Sequence, residues 1–166
     1  MSLTEELVLK RSKADSLESV RTLNCWGCSL SDVQLLSQLD NLEVLNLSGN
    51  NLSTLKDLKD CTKLRELFIR RNKLTDFSEL AHLAQLKNLK VVWLNGNPLS
   101  EATSYRSQVA KMLPQITKLD NIELSPASES GMGSGDRVLE AVQLLLRELN
   151  QTQLETVRDT VTGMLR

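Results

Sequence analysis

The chain has 166 residues, 40% of them hydrophobic, and its 20 basic and 21 acidic side chains nearly cancel, which argues against a long nucleic-acid groove or a polybasic membrane patch. No run approaches the roughly 18 consecutive apolar residues of a membrane span. Three cysteines are too few for a disulfide framework, and the opening segment MSLTEELVLKRSKAD lacks an apolar signal core, so a soluble, intracellular protein is expected.

In chain order, the first predicted element is a short helix within SLTEELVLKRS. Ser2 and Glu5 have the spacing of a capping box, and Leu3, Leu7 and Val8 give the helix one apolar side. Four segments then fall into register: VRTLNCWGCSL (20–30), LEVLNLSGNNL (42–52), LRELFIRRNKL (64–74) and LKVVWLNGNPL (89–99), with starts 22, 22 and 25 residues apart. All fit L-x-x-L-x-L-x-x-N/C-x-L, the pattern of leucine-rich repeats, in which each unit buries its apolar face only against its neighbours. Alternation points Leu45 and Leu47, Leu67 and Ile69, and Val92 and Leu94 inward from one short parallel strand per unit. Asn50, Asn72 and Asn97 stand where a side-chain amide can bond backbone groups that the following turn leaves unpaired. Between strands, Val33, Leu36 and Leu39, then Leu55, Leu58 and Cys61, then Phe77, Leu80, Leu83 and Leu86 recur every third residue, which predicts helical or 3₁₀ turns on the convex side.

The C-x-x-C of Cys25 and Cys28 invites a zinc or redox reading. Alignment on the repeat instead gives Cys25 the inward position of Leu47, Ile69 and Leu94, and gives Cys28 the ladder position, so both thiols are expected to be structural. No metal, cofactor or small-molecule substrate is expected. No phosphate loop, nucleophile elbow or convergent acid/base pair with a histidine is evident, so an enzyme is not expected.

After the fourth repeat, Tyr105, Val109, Met112 and Leu113 have helical spacing, Pro114 ends the helix, and Ile116 and Leu119 predict a final strand. This segment is the expected C-terminal cap. Its NP…Y-R…LP…LD layout resembles that of short intracellular leucine-rich repeat proteins similar to the spliceosomal U2 A-prime protein and a phosphatase regulator. Residues 1–124 are therefore predicted to form an α/β leucine-rich repeat solenoid of four to five repeats with both ends capped. The segment SPASESGMGSG (125–135) is small and polar, and predicts a flexible linker.

Residues 136–166 predict a separate, all-α helical hairpin. Its first helix carries Val138, Leu139, Val142, Leu145, Leu146 and Leu149 on one stripe, and its second carries Leu154, Val157, Val161, Met164 and Leu165. So short a segment lacks a core of its own, and these residues are expected to bring copies of the chain together as a homo-oligomer; docking back on the solenoid is the alternative.

Strand positions that do not face inward form the concave surface on which solenoids usually bind partners. Here they are Thr22, Asn24 and Trp26; Val44, Asn46 and Ser48; Glu66, Phe68 and Arg70; and Val91, Trp93 and Asn95. Both tryptophans and one of the two phenylalanines of the chain fall in this set, beside Arg70 and Arg71. Tryptophan and arginine are typical of binding hot spots, so Asn24, Trp26, Asn46, Glu66, Phe68, Arg70, Trp93 and Asn95 are the candidate partner-binding residues, for a protein rather than a nucleic acid.

Taken together, VRTLNCWG, ELFIRRN followed by SELAHLAQLKNLKVVWLNGNP, LPQITKLDN, and the tail RVLEAVQLLLRELNQTQLETV resemble the cilia- and flagella-associated leucine-rich repeat proteins of basal bodies, over nearly the whole chain apart from the linker. The linker is shorter than in vertebrate relatives. The resemblance implies a scaffold in cilium or flagellum assembly or maintenance, located in the cytoplasm and cytoskeleton at the basal body and bound to a NIMA-related kinase. The alternative is a nuclear adaptor that holds an RNA-binding splicing protein.

Overall fold

A computed structural model describes residues 1–124. The expected linker (125–135) and hairpin (136–166) lie outside the described residues. Four three-residue strands recur where the repeat places them: β1 Thr22–Asn24, β2 Val44–Asn46, β3 Glu66–Phe68 and β4 Val91–Trp93. Two shorter ones follow, β5 Lys118–Leu119 and β6 Ile122–Glu123. The sheet runs in sequence order from β1 to β6, parallel as far as β5, with β6 returning antiparallel. Register is kept from repeat to repeat, Leu23 beside Leu45, Leu67, Val92 and Leu119.

Those five side chains are fully buried, as are Cys25, Leu47, Ile69 and Leu94. Across the core lie the turns of the convex side, which are 3₁₀ at Gln34–Gln38, Lys56–Leu58 and Phe77–Leu83. The three-residue spacing of Val33, Leu36 and Leu39 and its counterparts puts their side chains on one edge of such a turn. All of them are buried except Phe77, which is half-buried. Each such burial stabilises by roughly 1.5–3 kcal/mol, and each needs the neighbouring repeat to complete it.

The asparagine ladder is built as expected. The Asn50 amide donates to the carbonyls of Cys25 (2.9 Å) and Leu47 (2.7 Å), and its Oδ1 accepts from the Leu30 N–H (2.9 Å). Asn72 does the same one repeat on, with Leu47, Ile69 and Leu52, and Asn97 with Ile69, Leu94 and Leu74. Every rung thus bonds its own repeat and the one before.

Both ends are capped. Helix α1, Glu5–Ser12, packs on β1. The capping box expected from Ser2 to Glu5 is not the one used: the N-cap is Thr4, whose hydroxyl accepts from the Leu7 N–H. Ser2 is held elsewhere, bridging to Asp32, while the Leu3 N–H donates to the Asp32 carbonyl at 2.9 Å, so the helix starts only beyond them. At the far end α2 spans Tyr105–Met112. The strand expected from Ile116 to Leu119 is the shorter β5, Lys118–Leu119, with Ile116 buried just ahead of it, and it is not the final one, since β6 follows.

The end of β4 faces a missing neighbour. In earlier repeats the N–H of Leu47 donates to the Phe68 carbonyl and that of Ile69 to the Trp93 carbonyl. No full strand follows β4 to do this for Leu94. The carboxylate of Asp120 takes that place, its Oδ1 accepting from the N–H of Leu94 (2.8 Å) and of Asn95 (3.0 Å). Its Oδ2 accepts from the Tyr105 hydroxyl at 2.9 Å, which ties α2 to the sheet. Burial, reinforced by the Asp120 charge, pushes the Tyr105 phenol far above its usual range.

Candidate protein-interaction surface

The strand alternation that buries Leu45 and Leu67 turns the intervening residues to the concave side. One row runs Thr22, Val44, Glu66, Val91 and Lys118; the next runs Asn24, Asn46, Phe68 and Trp93. Lys118 was not among the predicted site residues, although alternation about the buried Leu119 is the signal that points to it.

Within this face the aromatic and cationic side chains divide. Phe68 and Trp93 pack on each other with centroids 5.9 Å apart and planes tilted by 46°. The Arg70 guanidinium lies over the Trp93 ring, 4.9 Å from its centroid, in cation–π contact. All three are half-buried. Trp26 belongs to β1's repeat and stands apart from this cluster at 62% exposure, a large apolar surface to leave in water. Its indole Nε1 lies near Gly49; a Cβ there would be 3.5 Å away.

Asn24 and Asn46 serve their own turns first: their Oδ1 atoms accept from the backbone N–H groups of Trp26 (3.1 Å) and Ser48 (3.0 Å). Their amide NH₂ groups remain for a partner. Glu66 and Asn95 complete the predicted set, half-buried and exposed respectively. The face therefore brings together Asn46, Glu66, Phe68, Arg70, Trp93 and Asn95 around β3 and β4, with Asn24 and Trp26 at its β1 edge.

The cysteines lie in other surroundings. Cys25 is fully buried, and desolvation, then the neighbouring Cys28, raises its thiol from 9.0 to about 11. Cys28 occupies the ladder position half-buried, where the Arg11 guanidinium donates to its Sγ at 3.4 Å. Burial and the charges of Asp60 and Asp40 push Cys61 up to about 12. Among the described residues no group of three or more His, Cys, Asp or Glu is placed to hold a metal ion, and no helix is long and apolar enough to cross a membrane.

Residues 15–121 match the family described as the NXF1/2/3/5 leucine-rich repeat domain. The chain belongs to this leucine-rich repeat family. Over 123 residues it is 43% identical to Cilia- and flagella-associated protein 410 of Mus musculus and 44% identical to that of Homo sapiens, covering 73% of this chain. The matches take in 49% and 48% of those proteins, so the chain spans about half the length of these curated relatives. Among solved structures, the SNF/U2A' complex of Drosophila melanogaster superposes with a TM-score of 0.55 at 22% identity, covering 90% of this chain and 99% of the other, a likeness of fold alone. Leucine-rich repeat domains generally mediate protein–protein interaction, and the aromatic and arginine side chains of this member stand on the face such domains present to partners.

Proposed function

We propose that the chain is a non-enzymatic adaptor of cilia or flagella, acting at the basal body in their assembly or maintenance. Its repeat domain holds a protein partner on the concave face through Asn24, Trp26, Asn46, Glu66, Phe68, Arg70, Trp93 and Asn95. The observation that carries this reading is the Phe68–Trp93–Arg70 cluster with the exposed Trp26 on one sheet face. Aromatic and arginine side chains grouped in this way are the composition of interface hot spots. The ciliary assignment rests on the likeness to Cilia- and flagella-associated protein 410. A NIMA-related kinase is the partner that the resemblance implies.

The hairpin of residues 136–166 gathers several copies, so that a second concave face binds at a raised effective concentration. Two measurements test these parts separately. A fluorescent fusion is expected to collect at basal bodies of ciliated cells; a signal confined to the nucleus contradicts the ciliary reading. In sedimentation, the full chain is expected to run as an oligomer and a chain ending at residue 124 as a monomer. Equal monomeric behaviour contradicts self-association through the tail.

A further inference from the structure

The outermost row of the concave face is rich in hydrogen-bond donors. Continuing the strand register two residues past Asn24, Asn46, Phe68 and Trp93 sets Trp26, Ser48, Arg70 and Asn95 side by side. The indole and guanidinium groups only donate hydrogen bonds, whereas the Asn95 amide and Ser48 hydroxyl can donate or accept. Among the described residues none of these four side chains makes a hydrogen bond. Among the described residues the ion pairs are Arg21 with Glu43 and His82 with Glu79, so Arg70 has a ring beneath it and takes part in no ion pair. Ser48 is 3% exposed and its Oγ is buried without a hydrogen-bond partner among the described residues, so the row offers itself to a ligand through Trp26, Arg70 and Asn95.

Arg71 adds a second cation under an unusual condition. Its φ is 51°, in the column where the other repeats carry Gly27, Gly49 and Gly96 with φ of 65°, 70° and 76°. A side chain in the left-handed region costs roughly 1–2 kcal/mol relative to glycine. Gly96 makes room for it: a Cβ at residue 96 would sit 3.0 Å from the Arg71 Cγ. Strain of this kind, held at a candidate site, points to use of the side chain it presents.

We infer that this row takes an acidic partner segment, in which Asp or Glu carboxylates flank an apolar residue. The carboxylates accept from Arg70, Arg71 and Asn95, while the apolar residue covers Phe68 and Trp93. The inference deepens the proposed function and rests on its concave-face reading. Nucleic acid, the other acceptor-rich ligand, fits less well. The 46° tilt between Phe68 and Trp93 offers no two parallel faces on which successive bases could stack.

The test selects phage-displayed random peptides on the full chain and, in parallel, titrates a fluorescein-labelled polyuridine RNA at physiological salt. Selected peptides are expected to share carboxylates around an apolar residue and to bind more weakly as salt rises. Arg70→Gln, checked for unchanged melting, is expected to weaken a selected peptide by about tenfold or more. A neutral or basic consensus, no selected peptide, indifference to Arg70→Gln, or tighter binding of the RNA overturns the inference. Neutral peptides that Phe68→Ala/Trp93→Ala abolishes would leave the concave-face reading standing without its acidic partner. Acidic peptides that bind this double variant as well as wild type would overturn both.

Discussion

Asn72 shows how one side chain couples two repeats. The carbonyls it bonds are shared, since Leu47 also accepts from Asn50 and Ile69 from Asn97. The Leu52 N–H has no such second partner. Asn72→Ala therefore orphans one buried donor and thins three carbonyls, those of Leu47, Ile69 and Arg70, which is expected to cost about 1–3 kcal/mol. A urea midpoint lowered at constant slope checks this, and an unchanged midpoint contradicts it. The buried thiols make a second prediction at this scale. Folding raises Cys25 and Cys61 from 9.0 to about 11 and about 12 by holding them neutral. Their contribution is complete below about pH 9 and is lost as pH rises through those folded values. Cys61→Ala is expected to flatten the alkaline fall in the urea midpoint over that window; an identical slope in both proteins contradicts the assignment.

At the scale of elements, β2 is bounded by a strand on each side and fully buried at Leu45. A proline there removes a donor and clashes within the ladder, so Leu45→Pro is expected to lose about 3 kcal/mol or more and with it cooperative melting. Unchanged thermal melting contradicts this. Strands, ladder and convex turns were legible in the sequence because each is a column repeated at a fixed period, and one column states one physical requirement. The ends were less legible because they break the period. Ser2-x-x-Glu5 has capping-box spacing, yet Ser2 is drawn into a bridge with Asp32, and Thr4 caps instead. Asp120 belongs to the LD of the cap, but no local pattern announces that a carboxylate will replace a strand's carbonyl and anchor Tyr105. Alternation likewise placed Phe68, Arg70 and Trp93 on one face, whereas their tilt and cation–π contact depend on side-chain conformations that spacing does not encode.

At the scale of the whole molecule, the capped solenoid, in which every rung bonds two repeats, presents one concave face, and the proposed gathering of copies through residues 136–166 would multiply it. The proposed function turns on binding at the concave face. The most direct measurement is a tagged pull-down from ciliated cells that compares wild type with Phe68→Ala/Trp93→Ala by quantitative mass spectrometry, after melting shows the variant folded. The account predicts selective loss of a kinase and other basal-body proteins from the variant. Recovery of the same proteins by both baits would contradict the concave site, and recovery of splicing factors by wild type would contradict the ciliary role.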